Sequence, residues 1–141
     1  DFMRHVPPGA HAAFYAAAPL TLNVTPAAMA AMGYCPSARL FEAAACGVPI
    51  ISDRWPGLES IFAPGEEILI ADGCENVVRI LRELPDERGL AIARAGRERV
   101  LRQHTADMRA RELEHYYQEA IDSRSSSNQA RPRRAKIGAA V

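Results

Sequence analysis

Short apolar runs separated by helix-like stretches set the plan of this chain. Leu20-Thr21-Leu22-Asn23-Val24, Val48 to Ser52 and Glu67 to Asp72 each read as a short strand, because aliphatic, largely β-branched residues are bounded by Pro, Gly, Asn or Asp. Val48, Ile50 and Ile51 supply bulk for a strand buried on both faces. Ala10 to Ala18 has the composition of a short helix ended by Pro19. Thr25-Pro26 predicts an N-cap with proline at the first helical position, and the helix runs from Ala27 to Met32 until Gly33 closes it.

The next helix organises the rest. Ser37 is placed to accept a backbone N–H as its N-cap, Gly47 to take the positive φ that ends it, and Pro49 to stop it running on. Alanines at 43, 44 and 45 let such a helix lie close against a sheet. Leu58 to Phe62 reads as a brief helix, and Glu75 to Leu84 as a longer one with Val77, Val78, Ile80, Leu81 and Leu84 on one face. From Pro85 a helix runs toward His104, with Leu90, Ile92, Ala93, Ala95, Val100 and Leu101 expected inside and Arg94, Arg97, Glu98, Arg99 and Arg102 outside. A final helix is expected from Met108 to Ile121, docking through Leu113, Tyr116, Tyr117 and Ile121. Strands alternating with helices predict an α/β fold: a small parallel sheet with helices on both faces, three strands and a fourth candidate ending at Val6.

Composition narrows the class without changing that plan. At 141 residues, 48% apolar and 24% charged, the chain suits one domain with a genuine core. No apolar run approaches the roughly 20 residues that span a bilayer. The opening Asp1-Phe2-Met3-Arg4 has neither an initiator methionine nor a basic stretch feeding an apolar one, so it reads as an internal start without a signal peptide. Cys35, Cys46 and Cys74 are too widely spaced for a metal site and odd in number, which favours free thiols in a reducing, cytoplasmic setting. The formal charge is zero, yet Arg124, Arg131, Arg133, Arg134 and Lys136 stand in a segment without acids. Residues 1–122 therefore read as the folded body and residues 123–141 as a basic linker or flexible tail. Arginines interleaved with glutamates along the helix before His104 read as a solvated face, with no nucleic-acid role.

Candidate chemistry gathers where strands end. In parallel α/β domains ligands sit beyond the carboxyl ends of the strands, among loops and helix N-termini. The helix beginning at Ser37 offers free amides and a favourable potential to a phosphate, and Arg39 adds a charged donor in its first turn. Glu42, beside Leu40 and Phe41, either faces water at a rim or is satisfied by a partner. Asn23 sits at a strand exit and offers a polar contact. Trp55, the only tryptophan, lies in a loop where it either stacks on a planar ligand or covers the edge of the core.

The ordered set of motifs resembles a known family. Gly33-Tyr34-Cys35-Pro36-Ser37, Arg39 to Pro49, Ser52-Asp53-Arg54-Trp55-Pro56-Gly57-Leu58, Pro64 to Leu69, Gly96 to Val100 and His104-Thr105 look like the nucleotide-binding C-terminal domain of group-one, GT-B type glycosyltransferases, in the spore-maturation-like branch. The resemblance covers roughly His5 to Tyr117. It implies a partial, three-layer Rossmann-like domain that binds a nucleoside-diphosphate sugar and requires no other cofactor or metal. It also implies transfer of that sugar, with retention, to an acceptor held largely by an N-terminal domain of the same parent chain. In the family the glutamate matching Glu42 commonly binds the ribose hydroxyls. Ser37, Ala38 and Arg39 are then the diphosphate contacts, and Asn23, Gly33, Tyr34, Cys35, Trp55 and Gly57 line the donor pocket; no catalytic group is assigned. Tyr34 stands where the wider family carries a second glutamate. That departure leaves open an inactive nucleotide-binding or protein-interaction module, and a chain of this extent is expected to bind donor weakly at best and not to turn it over alone.

Overall fold

The computed structural model describes residues 6–129. They fall into two units, one through Thr105 and one from Ala106 onward. In the first, a 3-10 turn at Pro8–Ala10 leads into α1 (His11–Ala16), followed by β1 (Thr21–Asn23), α2 (Ala27–Met32), α3 (Ala38–Ala45) and β2 (Ile50–Ser52). A 3-10 turn at Leu58–Ser60 then precedes β3 (Leu69–Ile70), α4 (Cys74–Glu83) and α5 (Asp86–Gln103). The second unit is α6 (Ala106–Gln129).

The three strands form one parallel sheet in the order β1-β2-β3. Its register places Leu22 beside Ile51 and Leu69, and Asn23 beside Ser52 and Ile70. Alternation along the strands sends these two rows to opposite faces. Each strand is shorter than its apolar run: Leu20, Val24, Glu67 and Ala71 fall outside the ladders. The expected fourth strand falls on residues outside those described, apart from Val6, which is not in a strand.

Helix α3 follows its sequence signals closely. Ser37 has extended φ/ψ and its hydroxyl accepts from the Arg39 amide at 3.3 Å, while Gly47 takes φ +73° after the C-cap at Cys46. Leu40, Ala43 and Ala44 bury one side of the helix in a core with Ile50, Leu58, Phe62, Ile68 and Val100. At roughly 25 cal/mol per Å² of apolar surface removed from water, burial along this seam stabilises the unit.

Several expectations need correction. Thr25 does not cap α2; its hydroxyl and amide both donate to Asp53, and Pro26 takes the cap position. Leu90 and Leu101 of α5 are exposed, because the buried stripe follows Gly89, Ile92, Ala93, Gly96 and Val100 at helical spacing. The arginine row is not uniformly solvated: Arg99 pairs with Glu67 at 2.9 Å, and Arg97 donates to the carbonyl of Ala45. The segment from Ser123 to Gln129, expected as linker, continues α6, and the Ser123 hydroxyl bonds back to the Glu119 and Ala120 carbonyls. Residues 130–141 of the expected tail lie outside the described residues.

Candidate functional site

Polar residues join the exits of β1 and β2. Asn23, buried, donates from its side chain to Ser52 Oγ at 3.0 Å and to Thr25 Oγ1 at 3.4 Å. Ser52 Oγ donates to the Asp53 carbonyl at 3.0 Å, and Asp53 Oδ1 accepts from the Thr25 amide and hydroxyl at 3.0 and 2.9 Å. The side chains of Asn23, Thr25, Ser52 and Asp53 thereby bond to one another inside the protein. Beside this knot a cavity of about 490 Å³ opens over the strand ends. Leu22, Val24, Ala71 and Val77 form its apolar wall, and Asn23, Asp53, Arg54 and Asp72 its polar rim. Leu22 is 44% exposed there, on the sheet face opposite the row that packs under α3.

The helix bearing the predicted anion contacts lies elsewhere. Ser37 and Ala38 open α3, and Arg39 reaches back from its first turn to the Leu22 carbonyl at a long 3.5 Å. Glu42 stands three residues beyond Arg39, on the same side of the helix. Its carboxylate meets α1: the Tyr15 hydroxyl donates to Glu42 Oε2 at 3.3 Å, and His11 Nδ1 lies 3.3 Å from the same oxygen. The Glu42 side chain remains 43% exposed and that of His11 29%. Tyr15 is buried, and burial pushes its phenol up from the ordinary tyrosine range; the Glu42 carboxylate adds to the shift while Arg39 opposes it.

Two of the predicted pocket loops do meet. The Tyr34 amide donates to the Pro56 carbonyl at 2.7 Å, and the Tyr34 ring covers Gly57 so closely that a Cβ there would lie 2.5 Å from it. Gly33 at φ +69° is similarly pressed against Pro56, with 2.9 Å left for a Cβ. Tyr34 itself takes φ +50°, an uncommon conformation for a bulky residue, and is 77% exposed. Cys35 is half-buried beside it. Trp55 departs from its predicted place: it is buried in the core with Leu58 and Phe62, so its ring does not line a pocket.

Asn23 and Glu42, both expected at the donor site, have different partners. Asn23 lines the strand-end cavity; Glu42, a turn into α3 and facing α1, does not. Sequence reasoning also passed over His11, Tyr15, Thr25 and Ser52 as site residues. The polar ends of two apolar strands, Asn23-Val24-Thr25 and Ser52-Asp53, were a usable signal for the knot. Nothing in local spacing tied α1 to Glu42, twenty-seven positions away from Tyr15. Among the described residues no group of three or more His, Cys, Asp or Glu side chains is arranged to hold a metal ion, and no helix is long and apolar enough to cross a membrane.

Comparison with known proteins fits this architecture. The chain is similar to sucrose-phosphate synthase from Thermosynechococcus elongatus, with TM-score 0.60 and 22% identity over 78% of this chain. It spans 27% of the length of that protein, and at this identity the likeness concerns the fold. No curated protein matches. A family model described as glycosyl transferase-like matches residues 1–115. The chain belongs to that glycosyl transferase-like family, and its fold is a Rossmann-like domain of the GT-B glycosyltransferase type.

Proposed function

We propose that the protein takes part in transfer of a sugar from a nucleoside-diphosphate donor to an acceptor, with this domain binding the donor. The observation that carries the reading is the Ser37-capped start of α3 with Arg39 and Glu42, three residues apart and on one side of it, just inside. Ala38 at the helix start and the Arg39 guanidinium would hold the diphosphate, and Glu42 would accept hydrogen bonds from the ribose hydroxyls. As the bond from the sugar to the diphosphate breaks, charge grows on the departing phosphate oxygen, and the helix N-terminus and Arg39 stabilise it. Gly33, Tyr34, Cys35 and Gly57 would shape the sugar side of the site, Asn23 acts through the neighbouring strand-end knot, and Trp55 supports the loop from beneath. The spore-maturation-like branch, a retaining outcome and an N-terminal acceptor-binding domain in the parent protein complete the reading.

Calorimetric titration of the full-length protein with UDP, GDP and their sugars tests it, followed by Glu42→Ala against the tightest binder. Loss of hydrogen bonds to an ionised group predicts roughly a ten- to hundredfold weaker affinity with the fold intact. Unchanged affinity rejects the ribose role. A second reading, donor binding without transfer, is favoured by Tyr34, whose loop presents an aromatic ring over Gly57 instead of a carboxylate. Full-length protein that binds a sugar nucleotide but neither hydrolyses it nor passes on its sugar would select that reading.

A further inference from the structure

We infer that Tyr15 and His11 are positioning residues for Glu42, fixing its carboxylate so that a single oxygen, Oε1, receives both hydroxyls of a ribose. The inference rests on the proposed ribose role of Glu42 and deepens it. His11 and Tyr15 lie four positions apart on α1, hence on one side of it, with ring centroids 6.2 Å apart and the rings nearly perpendicular. Both direct a polar atom at Glu42 Oε2 and at the same distance, 3.3 Å. His11 is itself held from its other side, where Nε2 lies 3.0 Å from the Val6 carbonyl oxygen. Tyr15 is fixed by burial.

A carboxylate oxygen has two lone-pair directions. His11 faces two acceptors, the Val6 carbonyl and Glu42 Oε2, and donates to both as the imidazolium; in that form it and Tyr15 fill the acceptor capacity of Oε2, and the two sites left for a ligand are both on Oε1 of a half-exposed side chain. Two acceptor directions on one atom suit two neighbouring hydroxyls, such as a ribose cis-diol. A glutamate free to rotate would lose side-chain entropy on binding and would accept a lone hydroxyl as readily; one held by α1 has that cost already met by folding. Tyr15 and His11 would thereby make the site selective for ribonucleotides without touching the ligand.

The experiment compares, in the full-length protein, the affinity for UDP or GDP, whichever binds more tightly, with that for its 2′,3′-dideoxy analogue. The wild type is expected to prefer the ribonucleotide by about tenfold or more. Tyr15→Phe, which keeps the ring and removes the hydroxyl, should weaken the ribonucleotide several-fold, leave the dideoxy analogue unchanged and so shrink the preference. Glu42→Gln should abolish the preference, and adding Tyr15→Phe to it should change nothing further. A packing role for Tyr15 would weaken both nucleotides alike, which overturns the inference. If Glu42→Gln abolishes the preference while Tyr15→Phe retains it in full, positioning is wrong and the ribose role stands. If Glu42→Gln retains it, or the wild type binds neither nucleotide, the ribose role falls and this inference with it. His11→Ala, on a partly exposed side chain, gives the same readout should Tyr15→Phe fail to fold.

Discussion

Tyr15 is the residue at which packing and charge meet most directly. Its phenol is buried against the core and hydrogen-bonded to Glu42, and burial, then the carboxylate, raise its pKa above the ordinary value of about 10. Folding therefore favours the neutral phenol. The resulting stability is complete below pH 10 and is lost as pH rises through the folded-state pKa. Urea denaturation across the alkaline range should show stability falling there, and Tyr15→Phe should flatten that part of the curve; an identical slope in the variant would refute the assignment. Trp55 gives a second test at this scale. Trp55→Ala should cost about 3–5 kcal/mol in the same denaturation experiment, since it empties a core position. A ligand-stacking tryptophan would instead cost affinity with little loss of stability. Its fate also shows a limit of local reading: a loop aromatic between Arg54 and Pro56 looks the same in sequence whether its ring turns outward or inward. Only the apolar space left by Leu58 and Phe62 decides the matter.

At the scale of elements, α5 carries two glycines whose surroundings predict opposite effects. A Cβ on Gly89 would sit 3.4 Å from the Leu84 side chain, an ordinary contact, so Gly89→Ala should gain up to about 1 kcal/mol from helix propensity. A Cβ on Gly96 would lie 2.7 Å from the Glu67 carbonyl oxygen, and backbone there cannot swing aside. That backbone is held: Glu67 accepts from the Ala63 amide and pairs with Arg99, one turn along α5 from Gly96. Gly96→Ala should therefore destabilise, with overpacking of about 1–3 kcal/mol outweighing the propensity gain. Urea midpoints moving in opposite directions for the two variants would bear this out, and a stabilised Gly96→Ala would show that α5 is free to shift. The same contrast explains what the periodicity of α5 left unread. Leu90 and Leu101 look apolar and therefore internal, but the helix approaches its neighbours along a stripe of small residues, Gly89, Ala93 and Gly96, and the larger leucines fall beside it. Where caps and stops are chemically distinct, as at Ser37 and Gly47, the element was legible to within a residue.

Across the whole molecule, strand–helix alternation was enough to give an α/β fold with a parallel sheet, because a parallel neighbour requires a crossover: α2 and α3 supply it between β1 and β2, and the stretch with the 3-10 turn at Leu58–Ser60 supplies it between β2 and β3. The site was less legible. Its members come from α1, the end of β1, the loop before α3, α3 itself and the loop after β2, and the pairing of α1 with α3 through Tyr15 and Glu42 has no local signature. That distribution has a thermodynamic consequence that can be measured. A ligand seated on Ser37, Arg39 and Glu42 would bind only where α1 and α3 are docked, so it must stabilise the folded state by RT ln(1 + [L]/Kd). At a hundredfold excess over its dissociation constant, a nucleoside diphosphate should add about 2.7 kcal/mol to the stability of the full-length protein, seen as a rise in Tm that grows with the logarithm of nucleotide concentration. In Glu42→Gln the same nucleotide concentration should raise Tm by much less, because the fraction of sites filled falls with affinity. Inorganic phosphate reaches only the helix start, so its smaller rise should be nearly the same in both proteins. Equal nucleotide-induced shifts in the wild type and Glu42→Gln would remove the ribose from Glu42, with the strand-end cavity around Leu22 and Val77 the next location to test by substitution.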